Sequence, residues 1–232
     1  ASSASGVAPG ILYAIGDAID DPTMPMVLCS GLGNVDSAEP SYRMWELSRQ
    51  VRASRILTTV FNAGVDGLLD RLKSEASADA AEFLAAWDQF IIDFGSRGPS
   101  EWEMASPTWE TEPELALAAL NQTRWQTDVE SPANRNQTKV IERTTKIAEV
   151  RAAVAALGND GLNAQLEVAI VATNQLAFRE RTKTNLVRVV HEGRMVFREL
   201  GRRHGLAGNL NHVEHVFMLL DDEVESFVKN PT

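Results

Sequence analysis

A stretch without proline, from Leu162 to His204, constrains the fold of this 232-residue chain more than any other feature. Proline ends or kinks a helix, so a long stretch that lacks it and has apolar residues at helical spacing favours helix. We predict one very long helix or two nearly collinear ones. The turn sequence "GNDG" precedes this stretch at 158–161, and a helical pattern runs from Gln137 to Leu157 before the turn. The two segments together predict an antiparallel helical hairpin.

Helical periodicity also dominates the first half of the chain. Amphipathic patterns begin after Pro40, at Ala80 with Ser77 as N-cap, and near Pro113. The clearest apolar stripe is formed by Phe83, Leu84, Trp87, Phe90, Ile91 and Phe94. We therefore predict an all-α (mostly α) fold, an irregular multi-helix domain with a long antiparallel helical hairpin and one long Trp-rich loop.

The N-terminal part gives weaker signals. Residues 1–10, "ASSASGVAPG", are small and lack the basic start and apolar run of a signal peptide, so we expect a flexible segment. Prolines and glycines interrupt residues 7–38, which predicts short helical turns and loop. We assign residues 11–232 to a single helical domain with sub-parts 11–136 and 137–232. Because the sequence does not begin with methionine, we expect it to be a piece of a longer or processed protein.

Charge and composition exclude several classes of function. The formal net charge is -10, with the acidic residues spread along the chain, whereas general nucleic-acid binding needs a basic surface. No run of about 18 apolar residues is present, so we predict no transmembrane helix. The single cysteine, Cys29, excludes an internal disulfide and favours a cytoplasmic protein. We expect neither nucleic acid nor a membrane as a partner.

The segment "GSRGPSEWEMASPTWETEP", from Gly95 to Pro113, interrupts the helical pattern, and we call it the Trp-rich loop. Arg97 lies between glycines, and Glu101 and Glu103 flank Trp102. A guanidinium that pairs with a carboxylate and stacks on an indole is a well-defined unit, because arginine is planar and donates in a fork. Such a unit either locks the loop onto the helices or presents aromatic faces to a ligand. The residues alone leave both interpretations open.

Other polar clusters give weaker signals. His212 and His215 lie three residues apart, which suits one helical face, but a third metal ligand is not evident. His204 suits a helix C-terminus, and His191 is predicted to be structural. The "GLGN" motif at 31–34 is predicted to be a turn, since a phosphate loop needs a strand before it and a further glycine. Cys29 has no basic neighbour in sequence and is not predicted to be a nucleophile.

Arg179 and Lys183 lie one helical turn apart in the long proline-free stretch, beside Phe178. A solvated helix face with ion pairs explains them, and so does a basic pair that faces inward and holds an anion. The sequence leaves these two interpretations equally open.

Three stretches of the chain carry a family resemblance. The first lies in the Trp-rich loop and consists of Gly95, Arg97, Glu101, Glu103, Pro107, Trp109, Glu110, Glu112 and Pro113. The second is "FRERTKTNLVR" at 178–188, and the third is "LGRRHGLAGNLNHVEHVFMLLDDEV" at 200–224. In their order and spacing they resemble the central helical region of phosphoenolpyruvate-utilising enzymes of the phosphoenolpyruvate synthase and rifampicin phosphotransferase type.

The resemblance implies a role within a larger enzyme. Such enzymes combine an ATP-grasp domain, a helical domain at the acceptor site, and a swivelling domain whose histidine, in a "T-S-H-A" stretch, carries the phosphoryl group. None of the four histidines here follows serine or threonine, so we expect no phosphohistidine chemistry and no catalysis by this fragment alone. The expected partners are a small-molecule phosphoryl acceptor and the parent's other two domains. We expect no cofactor in this fragment, with ATP and Mg²⁺ bound only by the parent's ATP-grasp domain.

The resemblance also suggests which residues bind the acceptor. We expect Arg97 and Arg43 to contact an anionic group of the acceptor. We expect Trp102, Trp109 and Trp45 to line its apolar part. Arg179 and Lys183 form a second basic pair that is expected to contribute to acceptor binding. Glu101 and Glu103 are expected to orient Arg97, and no catalytic or metal-binding residue is predicted. The alternative function is a non-catalytic helical interaction module whose Arg–Trp loop is purely structural.

Overall fold

The computed structural model describes residues 2–33 and 35–230, with side chains from residue 7 onward. Within these ranges it has eleven α-helices and no strand, which confirms the all-α prediction. The helices are α1 (Ser2–Ala18), α2 (Met24–Leu28), α3 (Glu39–Ala53), α4 (Arg55–Asn62), α5 (Leu68–Ser74), α6 (Ala78–Phe94), α7 (Pro113–Thr123), α8 (Pro132–Ala156), α9 (Asp160–Thr173), α10 (Gln175–Leu206) and α11 (Asp221–Lys229). No helix in the described part of the chain is both long and apolar enough to cross a membrane.

The chain divides into two compact units. Unit 1 comprises Ala1–Asn62 and Leu120–Thr184, and unit 2 comprises Ala63–Ala119 and Asn185–Thr232. Helices α7 and α10 each begin in one unit and end in the other. That residues 11–232 form a single domain with sub-parts 11–136 and 137–232 stays a prediction.

Helix α1 corrects the prediction of short helical turns and loop at residues 7–18. Apart from Ala1, which lies outside the described residues, residues 1–10 belong to this helix, which extends to Ala18, and their flexibility stays a prediction. Ala8, Leu12 and Ile15 follow helical spacing and are fully buried. Small residues and Pro9 hide this pattern in the sequence, and burial of the apolar face against the rest of unit 1 stabilises the helix despite them.

The predicted hairpin is present in unit 1 as α8 and α9. Gly158 takes a positive φ of 66° in the turn, and Asn159 caps α9 by accepting the Leu162 N–H at 3.1 Å. The Arg151 side chain on α8 donates to Glu167 on α9 at 2.6 Å. Four buried residues of the hairpin join Leu12, Ile15, Met24 and Leu28 in one core: Val150, Val154, Leu166 and Ala169.

The long proline-free stretch forms two helices, α9 and α10, that are separated at Asn174. The buried Thr173 hydroxyl donates to the Ile170 carbonyl at 2.6 Å and accepts from Arg143 Nη2 at 2.9 Å. Threonine hydroxyls that bond back to the preceding turn compete with the helical backbone and bend helices. This contact accounts for an interruption that neither proline nor glycine explains.

Unit 2 contains the aromatic stripe predicted for α6. Ser77 caps this helix, as predicted, by accepting the Ala80 N–H at 3.2 Å. Phe83, Trp87 and Phe90 are buried. The stripe therefore provides the apolar surface beside which the Trp-rich loop begins.

Candidate functional site

The Trp-rich loop follows α6 directly, and its two arms lie side by side. The Trp109 N–H donates to the Arg97 carbonyl at 2.8 Å, and the Glu110 N–H donates to the Gly95 carbonyl at 3.0 Å. A Cβ at Gly98 would lie 2.5 Å from the Pro107 carbonyl oxygen, closer than real Cβ contacts allow. The close approach of the arms therefore requires glycine at this position.

Arg97 is held by a largely buried ion pair within the loop. Its Nε lies 2.8 Å from Glu101 Oε1, and the two side chains are 12% and 14% exposed. The Nη1 atom of Arg97 is buried and has no hydrogen-bond partner among the residues that the structure describes. Glu103 has another contact, since its Oε1 accepts the Ala105 N–H at 3.0 Å. The loop thus contains a positioned guanidinium with one unsatisfied donor nitrogen.

The two indoles of the loop have different surroundings. The Trp109 ring stacks on Phe90 of α6, with ring centroids 5.6 Å apart and an angle of 20° between the planes. Phe90 in turn stacks on Trp87 at 5.6 Å. Trp102 is 54% exposed. Trp109 therefore anchors the loop on the aromatic stripe, whereas Trp102 offers an aromatic surface to solvent.

Arg194 on α10 is the main attachment of the loop, and the sequence predictions did not include it. Its side chain is fully buried, and its guanidinium donates to three carbonyls of the loop. Nε donates to Met104 at 3.0 Å, and Nη2 donates to Glu103 at 2.9 Å and Glu101 at 3.1 Å. Burial lowers the pKa of Arg194 from its ordinary value, and the nearby Glu103 opposes that change. In the sequence, the signal is only that this arginine follows a histidine by three residues, a spacing that places both on one face of a helix.

His191 connects Arg194 to the other arm of the loop. Its Nδ1 lies 3.1 Å from Arg194 Nη1, and its Nε2 lies 2.9 Å from Glu110 Oε2. An arginine nitrogen can only donate, so His191 Nδ1 accepts and Nε2 carries the proton that is donated to Glu110. We call these three residues the Arg194 latch. The His191 side chain is 5% exposed and Glu110 is 42% exposed.

The inner face of α10 lies one position beyond the face that heptad-like spacing of its apolar residues indicates. That spacing runs through Leu186, Val190, Gly193, Phe197 and Leu200. The buried residues of α10 are instead Val187, His191, Arg194 and Gly201. Leu186 is 50% exposed. Two polar residues occupy the inner face, so apolar periodicity alone assigns the wrong register.

Four of the predicted acceptor-binding residues lie in unit 1. Arg43 is exposed on α3 and pairs with Glu39 at 3.5 Å and Glu46 at 3.0 Å. The Trp45 ring lies beneath the guanidinium of Arg49, whose carbon is 3.8 Å from the ring centroid. The ion pairs of Arg43 are typical of an exposed helix surface, and the contact between Trp45 and Arg49 is a packed cation–π pair.

The second basic pair also belongs to unit 1. Arg179 is exposed and Lys183 is half-buried on α10. The residue between them on the helix, Arg181, pairs with Asp36 at 3.3 Å.

The other predicted site residues lie in the Trp-rich loop, which belongs to unit 2. The structure brings together Arg97, Glu101 and the backbone of Trp109. Trp102 and Glu103 belong to the same unit.

The remaining candidates from the sequence are the pair His212 and His215, Cys29 and the "GLGN" motif, and their contacts suit structural roles. Among the described residues, no group of three or more His, Cys, Asp or Glu side chains is arranged to hold a metal ion. Burial raises the pKa of the Cys29 thiol, with Arg143 opposing it, so Cys29 is held as a thiol. Gly31 has a φ of 60°, and a Cβ there would lie 2.6 Å from the Lys139 carbonyl oxygen. Asn34 of the "GLGN" motif lies outside the described residues.

Comparison with known proteins identifies the family. The family model described as "Rifampicin phosphotransferase fourth domain" matches residues 5–180, and the chain belongs to this family. The chain is also similar to uncharacterised proteins of Mycobacterium bovis and of two strains of Mycobacterium tuberculosis. Each is 29% identical over 207 residues, which is 86% of this chain and 21% of the relative. The chain therefore spans about a fifth of the length of these relatives.

The family assignment confirms the resemblance to the helical region of phosphoenolpyruvate-utilising enzymes. The match ends at residue 180, so it contains the Trp-rich loop and excludes most of α10. Residues 191 and 194, which attach the loop in this chain, lie beyond the matched region.

Proposed function

We propose that this chain is the acceptor-binding helical domain of a multidomain phosphoenolpyruvate-utilising phosphotransferase. It holds a small-molecule phosphoryl acceptor, while ATP-grasp and phosphohistidine domains of the same parent chain transfer the phosphoryl group. ATP and Mg²⁺ bind in the ATP-grasp domain of that parent, and the enzyme acts in the cytoplasm. The family assignment supports this class, and the length of the relatives supports a multidomain parent.

One observation carries the assignment of the binding site to the Trp-rich loop. Arg97 is fixed by Glu101 through Nε, while its buried Nη1 lacks a hydrogen-bond partner among the described residues. An unsatisfied buried donor costs about 1–3 kcal/mol, and an anionic group that accepts from it recovers this free energy. Carboxylate or phosphate groups match the donor geometry of arginine. We propose that Arg97 binds the anionic group of the acceptor.

The exposed indole of Trp102 supplies the second part of the proposed site. An aromatic face on the same loop as a guanidinium suits an acceptor that has an apolar or planar part beside its anionic group. Because Nη1 is covered, binding must be accompanied by a local shift of the loop. That shift makes binding visible in tryptophan fluorescence. Arg43, Trp45, Arg179 and Lys183 are secondary candidates, because they lie in unit 1 and outside the Trp-rich loop.

A second candidate function is a helical interaction module whose loop is only structural. The stacking of Trp109 on Phe90 and the three carbonyl contacts of Arg194 favour it, because these contacts stabilise the loop without a ligand. The two functions differ in the role of Arg97. In the module, Arg97 matters only for stability.

A thermal-shift screen of phosphorylatable small molecules that bear a carboxylate or phosphate tests the proposal. The matched variants are Arg97→Lys, which keeps the charge and removes Nη1, and Arg188→Lys, an exposed arginine of unit 2 that donates to the Asp93 carbonyl at 3.1 Å. We expect at least one compound to raise the melting temperature of the wild type and Arg188→Lys by several degrees and to leave Arg97→Lys unshifted. The site is refuted if no compound shifts the wild type, or if Arg97→Lys responds like it.

A further inference from the structure

The Arg194 latch has a feature that simple packing does not require, namely a buried histidine whose proton position is fixed by both of its neighbours. Arg194 Nη1 donates to Nδ1 at 3.1 Å, and Nε2 donates to Glu110 Oε2 at 2.9 Å. Only the neutral Nε2–H tautomer satisfies both contacts. A second proton on the ring would occupy Nδ1 and face a donor that cannot be deprotonated in proteins.

We infer that the Arg194 latch is a proton-sensitive attachment of the Trp-rich loop, and that protonation of His191 loosens the loop and weakens anion binding there. The second half of this inference rests on the proposed function of the loop. Histidine is the side chain that ordinarily changes charge in the range of about pH 5–8, and this range sets the conditions for the test.

The contacts of the latch explain how protonation of a single residue affects the whole loop. Arg194 is fully buried and donates to the carbonyls of residues 101, 103 and 104, while Glu110 lies on the other arm. Residue 101 is also the ion-pair partner of Arg97. A displaced Arg194 therefore releases one arm at three carbonyls, one of which belongs to the residue that orients Arg97.

Groups of opposite charge contact the two ring nitrogens of His191: the Glu110 carboxylate lies at Nε2 and the Arg194 guanidinium at Nδ1. Two further charges act on Arg194: Glu103 favours its charged form and Arg198 disfavours it. A proton added to His191 keeps the Glu110 contact and breaks the Arg194 contact, so the loop is released on the α10 side first.

Two measurements test the inference without any ligand. The first is the tautomer of His191 at about pH 7.5, read from ring ¹⁵N chemical shifts. We expect the Nε2–H form, and the Nδ1–H form or a charged ring at this pH would overturn the inference. This measurement uses the wild-type chain and does not depend on any variant folding.

The second measurement is amide hydrogen exchange of residues 96–110 at about pH 7.5 and pH 5.5, corrected for the intrinsic pH dependence of exchange. The variant His191→Asn places an amide oxygen where Nδ1 lies, so it keeps an acceptor for Arg194 and cannot titrate in this range. His212→Asn, at an exposed histidine of unit 2, is the matched control. In the wild type and His212→Asn, we expect the corrected exchange to become about tenfold faster at the lower pH. In His191→Asn we expect no change, and an equal pH response in all three chains would overturn the inference.

Titration with inorganic phosphate then separates the latch from the proposed function. At about pH 5.5 we expect His191→Asn to bind phosphate about tenfold more tightly than the wild type, with equal ligand protonation in both samples. If the exchange result holds and phosphate binds neither chain, the latch stands and the anion site is wrong. If phosphate binds both chains equally, its binding does not depend on the latch, and the link between the two is wrong.

Discussion

Replacement of Arg194 by methionine is the perturbation with the largest effect that the structure predicts. Methionine has a similar length and fits an apolar environment, but it leaves four acceptors without their donor: the carbonyls of residues 101, 103 and 104 and the Nδ1 atom of His191. Hydrogen bonds from a charged donor contribute about 1.5–3 kcal/mol each. The carbonyls belong to exposed or half-buried residues, so water replaces part of each contact.

We therefore assign about 1 kcal/mol to each of these contacts and expect Arg194→Met to lower the free energy of unfolding of unit 2 by about 4 kcal/mol. Arg194→Lys keeps the charge but provides one nitrogen instead of three, and about 2 kcal/mol is expected for it. The matched control is Arg203→Met on the same helix, whose side chain is 70% exposed and pairs with Glu199. Loss of an exposed pair changes stability by less than about 1 kcal/mol.

Urea unfolding followed by tryptophan fluorescence measures these differences, because three of the five tryptophans, Trp87, Trp102 and Trp109, belong to unit 2. The order of stability should be wild type and Arg203→Met first, then Arg194→Lys, then Arg194→Met. An Arg194→Met chain within about 1 kcal/mol of the wild type would show that the loop is held without its buried guanidinium, contrary to this prediction.

Three further predictions concern the loop and unit 1. Gly98→Ala should lower the free energy of unfolding by about 2 kcal/mol, because the added Cβ meets the Pro107 carbonyl at 2.5 Å. Gly10→Ala in α1, where the space around the Cβ is open, is the control and should be neutral or stabilising in the same denaturation assay. Trp109→Ala should cost about 3 kcal/mol because it removes the stack on Phe90, and Trp102→Ala, at an exposed indole, should cost less than about 1 kcal/mol. The Thr23 hydroxyl and Lys146 lower the pKa of Asp21, so its carboxylate stabilises unit 1 above about pH 4 and ceases to do so as the pH falls through its lowered value. Asp21→Asn should therefore be less stable than wild type at pH 7, and this difference should shrink as the pH falls below about 4; a difference that does not shrink would contradict the assignment.

The features that could be predicted from the sequence are those with strong local signals. The "GNDG" turn fixes the α8–α9 hairpin because Gly158 and Asn159 suit a positive φ and an N-cap, and both play those roles. Ser77 is followed by a regular aromatic stripe, and it caps α6. Helix α1 was missed because its composition resembles a flexible segment, and its stability comes from contacts that are distant in sequence.

The candidate site was only partly predictable for a related reason. The loop residues Arg97, Trp102 and Trp109 are visible as an unusual cluster between helices. Their attachment to α10 depends on Arg194 and His191, about ninety residues later in the chain, and nothing local indicates that these two face inward. Buried polar residues interrupt the apolar pattern from which an inner face is inferred, so apolar periodicity alone does not find the residues that hold the loop.

The most direct test of the central claim, that Arg97 is a prepared anion-binding group, is an NMR titration of the arginine side-chain ¹⁵N signals with inorganic phosphate and with phosphoenolpyruvate. We expect saturable changes at Arg97 and none at Arg188, with loss of the response in Arg97→Lys. Unchanged Arg97 signals at saturating concentrations of both probes, in a chain whose Trp-rich loop is intact, would contradict it.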